Sequence, residues 1–478
     1  MGCAAVGSVM VPLESIAKPS GKYGIGTQVH FWTDNSRSEE YTTSPTDFRK
    51  LLVQVWYPAE TRSNHQKTTH LIYPKKSVNK VSESTGIPSG FVKHGSRLMS
   101  SAVKGAQPIK DKKFPLILFS HGDGGSTVQN LSQIEQLVSN GYMVVACDHT
   151  YNASITFDKE GTPILYKRNV TWDQQADYHR KYYTNQLVQY RYKDVAFVLE
   201  QLSKQELQEK IPNHYFSMID FDKIGMMGHS MGGGTSYYAL LNDNRIKAAL
   251  ALDGWFFAFS EETAKKNTNK PFMHIGQEQF MDPKIVGDMH NTEDGLENFR
   301  LYNFILQNNK PSYAVYIKNS LHYTFTDLKQ VYVQDKALSF PVSTLGIVDK
   351  AVVRNTINLS MMNFFDATFK DKEFDVVFIY GVMHHLDGLN DYEQTISEVS
   401  RVLKNGGYLF IFEPGAWTVY RMMEIIVKYL GFFSKTFKAL SSVLDEEATE
   451  LHYFIKNYSV IKNYASRYQL NNLVDRFF

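Results

Sequence analysis

At 478 residues the chain is long enough for two domains, or for one large domain with an appendage. Hydrophobic residues at 43% and charged residues at 21% fit a soluble globular protein, and the formal charge of +2 gives no electrostatic ground for binding nucleic acid. The two cysteines, Cys3 and Cys147, exclude a disulfide framework and a cysteine-based zinc site.

No stretch is apolar enough to cross a bilayer as a helix of about 20 residues. Met1 to Val6 has neither a basic flank nor a long apolar core, so it does not read as a signal peptide. Gly2 and Cys3 hint at acylation, but Val6 stands where Ser or Thr is wanted. The expected compartment is the cytoplasm. Alternating residues over 27–31 and 50–57 read as strands of an antiparallel lead-in, the second ended by Pro58. Residues 60–112 are polar and basic, an excursion with short helices or none.

A short buried strand, Phe114 to Ser120, precedes the glycine-rich run His121-Gly122-Asp123-Gly124-Gly125. A helix over 128–140 and a strand over 141–149 follow, and the order strand, helix, strand implies a parallel sheet. Residues 150–180 read as irregular, and 183–203 as helix. An apolar run then ends in Gly228-His229-Ser230-Met231-Gly232, with a helical stretch behind it. This Gly-x-Ser-x-Gly pattern is a nucleophile elbow: the strand turns so sharply into a helix that the serine is strained, and glycines on either side allow the close approach. Strands follow at 246–252, 271–276 and 312–317, then a closing helix over roughly 352–370.

Serine needs a base to act as a nucleophile, imidazole suits that role near neutral pH, and a carboxylate must hold the imidazole's tautomer. Ser230, Asp253 and His322 occur in that chain order, each at or just past the C-terminal end of an expected strand, where parallel sheets present their sites. His229 should point away from Ser230, His121 belongs to the glycine loop, and His274 lies inside a strand. Glu278 and Asp288 compete with Asp253 for the acid. The expected oxyanion donors are the backbone N–H groups of Met231 and Asp123, provided the Asp123 carboxylate is aimed away.

Residues from about 20 to 370 resemble the platelet-activating-factor acetylhydrolase family. The matching segments are Val53-Gln54-Val55-Trp56-Tyr57-Pro58, Leu118-Phe119-Ser120-His121-Gly122, the elbow, Ala251-Leu252-Asp253-Gly254-Trp255 and Leu321-His322. The resemblance implies an α/β-hydrolase fold, with antiparallel lead-in strands and helices on both faces of a mostly parallel sheet. It implies calcium-independent serine esterase activity on short or oxidised sn-2 acyl chains of phospholipids, with no cofactor and no metal, and it favours Asp253 over Glu278. A lipid or small ester is the expected partner, with peripheral membrane contact open. Trp255 to Phe259 could line an acyl pocket, touch a lipid surface or pack in the core. A non-catalytic binding protein on the same fold is the competing class.

The character changes after 372. Residues 374–386 form an apolar strand entering a loop, 391–403 a helix, and 404–414 a turn and a second strand. This segment is similar to the second half of a class I S-adenosylmethionine-dependent methyltransferase. The family's first strand, its Gly-x-Gly turn and its ribose-binding acid do not precede it. His384 and His385 have no third partner to make a metal site. The expected organisation is a hydrolase domain over 1–372 and a partial, Rossmann-like methyltransferase segment over 373–478. The segment reads as a remnant of gene fusion or of a gene-model join. A tail completed by another chain and a bifunctional hydrolase–methyltransferase are the other readings.

Overall fold

The computed structural model describes residues 15–60, 77–95, 98–169, 180–206, 215–280, 293–331 and 345–370, together with strands at 374–380, 403–413 and 473–477 and residues 395, 396 and 399. Contacts divide the chain into two compact units, Met1–Phe365 and Asp366–Phe478.

The first unit is built on one nine-stranded sheet. Its strands are β1 (Gly24–Ser38), β2 (Phe48–Ala59), β3 (Val103–Lys104), β4 (Phe114–Ser120), β5 (Met143–Asp148), β8 (Ile219–His229), β9 (Ile246–Leu252), β10 (Phe272–Gln277) and β11 (Ser312–Ile317). The order across the sheet is β11-β10-β9-β8-β4-β5-β2-β1-β3. From β5 to β11 every pairing is parallel, whereas β2 runs antiparallel to both β5 and β1. The central strands read as unbroken apolar runs because both faces of the sheet are covered. All seven residues of β4 and all six of β5 are buried. Pro58 does not end β2, which runs on to Ala59; it lies past Trp56, the last residue paired with β5, so its missing N–H costs that ladder nothing.

The helices include those expected over 128–140, 183–203, behind the elbow and over 352–370. They are α1 (Val78–Thr85), α2 (Ser89–Gly95), α3 (Leu131–Ser139), α4 (Arg180–Glu206), α5 (Met231–Asn242), α6 (Glu261–Ala264), α7 (Glu293–Asn308), α8 (Asp327–Val331) and α9 (Lys350–Phe369). The closing helix is α9, which buries Val353, Ile357, Met361 and Phe365. Several features differ from the sequence reading, among them β3, α6 and α8, which it did not anticipate. The stretch read as irregular holds a hairpin, β6 (Ile155–Phe157) with β7 (Pro163–Leu165). Its strands are too short for alternation to show, and Asp158-Lys159-Glu160-Gly161 between them is the turn signal. The helix α7 was not anticipated. Its core face is Asn298, Leu301, Tyr302 and Ile305, in which a buried polar residue breaks the apolar pattern.

The second unit contains a three-stranded parallel sheet of β12 (Phe374–Tyr380), β13 (Leu403–Glu413) and β14 (Leu473–Phe477), in that order. The expected turn at 404–407 is instead part of β13, with an irregular register between the pairs Phe374–Leu403 and Val376–Tyr408. That irregularity absorbs Asn405-Gly406-Gly407, which read as a turn for the same reason. β14 was not anticipated, and most of the helix expected at 391–403, with His384 and His385, lies outside the described residues.

Candidate active site

The elbow is formed as its sequence requires. β8 ends at His229 and α5 starts at Met231, leaving Ser230 at φ 55° and ψ −121°. A non-glycine residue holds such angles only where its surroundings impose them. Here the Ser230 N–H donates to the Leu252 carbonyl at 3.0 Å, and the Ser230 carbonyl accepts from Trp255 and Gly234 N–H at 2.9 and 3.1 Å. The flanking glycines are obligatory: a Cβ on Gly228 would lie 2.2 Å from the Gly232 carbonyl oxygen, and one on Gly232 would lie 2.0 Å from that of Ser120.

Asp253 and His322 are brought together. Asp253 is fully buried just past β9, and its Oδ2 meets His322 Nδ1 at 2.5 Å. The carboxylate also accepts from the backbone N–H of Gln277 at 3.0 Å and from Gln277 Nε2 at 2.8 Å. A proton on His322 Nδ1 is therefore assigned by its acceptor, which leaves Nε2 as the unprotonated nitrogen of the neutral ring. His322 opens a short 3-10 turn (His322–Phe325) after β11, and its side chain is about one-fifth exposed. The rival acid Glu278 instead accepts from the Asn319 backbone N–H at 3.0 Å, and Asp288 lies outside the described residues. Gln277 escaped the sequence reading; its position at the C-terminal end of a parallel strand is the only signal that marks it.

Asp123 is held through its side chain. Its carboxylate is drawn to Arg191 Nη2 at 3.4 Å and to the Tyr166 hydroxyl at 3.2 Å. Arg191 Nη1 also donates to the His121 carbonyl at 2.7 Å, so one buried guanidinium fixes both ends of the loop that carries the Asp123 N–H. His121 is structural: it accepts the His149 N–H at Nε2 and donates from Nδ1 to the Gly122 carbonyl. His274 is core, accepting the Gly254 N–H at Nε2 and held down to a pKa of about 3 by burial.

Beneath the loop lies a buried charged network that sequence reasoning missed. Asp194 accepts from Arg49 Nε and Nη2, from Arg37 Nη2 and from His149 Nδ1, the last at 2.9 Å. His149 Nε2 in turn meets Ser120 Oγ at 2.9 Å. Burial resists the charge on Asp194, but the Arg49 guanidinium overcomes it and holds that carboxyl well below the ordinary range. Asp194 and Arg191 lie one helical turn apart on α4, whose mixed polar and apolar character hid them. Trp255 to Phe259 resolves mostly to core: Phe256, Phe257, Ala258 and Phe259 are buried, and Trp255 is half-buried.

Among the described residues no helix is long and apolar enough to cross a membrane, and no group of three or more His, Cys, Asp or Glu side chains could hold a metal ion.

Two family models match the chain. The model of the ubiE/COQ5 methyltransferase family matches residues 328–476, beginning well before the boundary expected at 373. The platelet-activating factor acetylhydrolase of Cavia porcellus is 27% identical over 283 residues, covering 56% of this chain and 61% of that one. The one from Canis lupus familiaris is 25% identical over 369 residues, covering 73% and 76%. A probable 1-alkyl-2-acetylglycerophosphocholine esterase of Arthroderma benhamiae is 25% identical, covering 54% and 63%. The chain thus spans about three-fifths to three-quarters of the length of these relatives. A ferulic acid esterase from Streptomyces cinnamoneus superposes with a TM-score of 0.56 at 23% identity, over 75% of this chain and 93% of that one, which shows a shared α/β-hydrolase fold. The family model described as platelet-activating factor acetylhydrolase, isoform II, matches residues 10–377, more than three-quarters of the sequence, and the chain belongs to that family.

Proposed function

We propose that the protein is a serine esterase that hydrolyses short or oxidised sn-2 acyl chains of phospholipids. The observation that carries the reading is the 2.5 Å contact between Asp253 and His322, in a unit whose elbow holds Ser230 at φ 55°. Ser230 Oγ attacks the ester carbonyl carbon and its proton passes to His322 Nε2. Asp253 stabilises the imidazolium so formed. The backbone N–H groups of Met231 and Asp123 receive the oxyanion. Collapse breaks the ester C–O bond, and the lysophospholipid oxygen leaves with the proton from His322. Water, deprotonated by His322, then releases the acyl group from Ser230. Family membership and the names of the relatives support the lipid ester as substrate, and no step needs a metal or a cofactor. A binding protein would have no use for the strain at Ser230, which opposes the non-catalytic reading.

The test is hydrolysis of a series of phospholipids with graded sn-2 chains. Turnover falling steeply as the unoxidised chain lengthens supports the reading. Equal rates on long chains, or activity on simple esters alone, would contradict the substrate class.

We further propose that the hydrolase domain ends near residue 372 and that the segment after it contributes nothing to esterase chemistry. It lacks the glycine turn and the acid needed for S-adenosylmethionine. Removal of residues 373–478 is expected to leave esterase activity intact, and calorimetry on the full chain is expected to show no uptake of that cofactor. Micromolar binding would make the segment a working domain.

A further inference from the structure

His229 and Gln129 lie between the two loops that the reaction would use, and the protonation of every group there can be deduced. The Gly122 backbone N–H can only donate, and it meets Gln129 Oε1 at 2.7 Å. That contact fixes the amide: Oε1 accepts, so Nε2 donates. Gln129 Nε2 lies 3.3 Å from His229 Nδ1, which must then be the unprotonated ring nitrogen. The ring's remaining proton is on Nε2, which lies 3.1 Å from the His322 carbonyl oxygen and donates to it. One assignment satisfies all three contacts. Desolvation, and then the charge of nearby His322, push His229 well below the ordinary imidazole range, so the neutral form required here is the stable one.

The backbone repeats the link. The Asp327 N–H donates to the Gln129 carbonyl at 3.0 Å, and Asn130 Nδ2 donates to the Phe325 carbonyl at 2.6 Å. The His229 and His322 rings pack with centroids 4.6 Å apart. Gly122 leaves room for the assembly: a Cβ there would fall 3.0 Å from His229 Nδ1 and 3.3 Å from Gln129 Nε2.

We propose that Gln129 and His229 are positioning residues that tie the oxyanion loop, at Gly122, to the backbone of the base, at His322. The proposal rests on the reading of Ser230, His322 and Asp253 as the reacting set. A fixed spacing between base and oxyanion donors matters most in the transition state, when proton and negative charge have both moved. The relay therefore acts on kcat more than on KM.

Two measurements on the full chain test this. In the first, ¹⁵N-histidine NMR of the parent, with His229 assigned through His229→Gln, is expected to show a neutral ring protonated on Nε2 from pH 5 to 8. A ring protonated on Nδ1, or one that titrates in that range, would overturn the proposal whether or not the protein turns over. In the second, Gln129→Leu and His229→Leu are each expected to lower kcat by about 30-fold with KM within about threefold. The double variant should be no worse than either. His229→Gln, which can still donate to the His322 carbonyl, is expected to recover most of the loss. Additive losses, losses confined to KM, or unchanged kcat in the single variants would contradict the relay. Fluorophosphonate labelling of Ser230 in the parent separates the two levels: without it the reacting set is wrong, and the NMR result still decides the tautomer.

Discussion

Two carboxylate–imidazole pairs, each read together with a serine, occur in the same unit, and what they share is the contact from a carboxylate to Nδ1. Asp194 holds His149 Nδ1 at 2.9 Å, and His149 Nε2 meets Ser120 Oγ at 2.9 Å. Asp253 holds His322 Nδ1 at 2.5 Å, with Ser230 at the elbow. By hydrogen bonding alone the first set is the better formed. Its serine, however, is fully buried, ends a regular strand, and has its carbonyl pressed against Gly228 and Gly232. Its carboxylate is already neutralised by Arg49 and Arg37. No ester can reach it, and a charge appearing on His149 would face two guanidinium groups. The second set has a partly exposed imidazole, a strained serine and a carboxylate held by Gln277 and His322. Access and strain at the serine are what the proposed reacting set has and the buttress lacks.

The largest effect that can break this comparison is at the serines. Ser230→Ala is expected to lower p-nitrophenyl acetate hydrolysis by at least about 10⁴-fold, with an unchanged melting temperature. Ser120→Ala is expected to do the reverse, keeping activity within about tenfold while costing ~1–3 kcal/mol of stability from the unsatisfied His149 nitrogen. Next are the carboxylates. Asp253→Asn should lower kcat by roughly 10³- to 10⁴-fold through the wrong imidazole tautomer, whereas Glu278→Gln should change it little. Asp194→Asn should instead destabilise the fold by about 3–5 kcal/mol, read by urea unfolding, because it leaves buried arginines uncompensated.

How much of this was legible in the sequence follows from the same physics. The central strands, the elbow and Ser230, Asp253 and His322 were readable because each sits on a pattern with a local cause. Buried parallel strands are continuous apolar runs, and Gly228 and Gly232 are demanded by contacts under 2.5 Å. Gln277, Arg191, Asp194 and Gln129 were not readable. Their partners lie on strands or in loops elsewhere in the unit, at separations such as the 145 residues between Arg49 and Asp194, and nothing in the neighbouring residues encodes them. Asp123 was half legible: its place in the glycine loop was clear, but the turning of its carboxylate needed Arg191 and Tyr166.

A smaller effect sharpens the role of the buttress. Arg191→Met removes the donor to the His121 carbonyl and the partner of Asp123. It is expected to lower kcat by about tenfold with little change in KM, because the oxyanion donor loses its fixed position while substrate binding does not. A loss confined to KM would move Arg191 to the substrate.

The smallest effect is in the pH dependence of stability. Burial holds His149 at a pKa of about 4, below its ordinary value of 6.5. As pH falls through 6.5 toward 4, the unfolded chain takes up a proton that the folded chain refuses. The stability tied to neutral His149 is thus complete above about pH 6.5 and lost across that window, by at most about 3 kcal/mol. Urea unfolding at pH 7 and pH 4.5 should show a smaller drop for His149→Gln than for the parent. His30, His274, Asp148 and Asp327 also titrate differently in the fold, but they are common to both chains and cancel. An equal drop would mean that His149 is already charged in the fold.

The most direct test of which set reacts is fluorophosphonate labelling of the folded full-length chain, followed by mass spectrometry of the peptides. The expected result is a single stoichiometric adduct on Ser230, lost in Asp253→Asn and His322→Gln and retained in Ser120→Ala. An adduct on Ser120, or none on Ser230 in active protein, would contradict it.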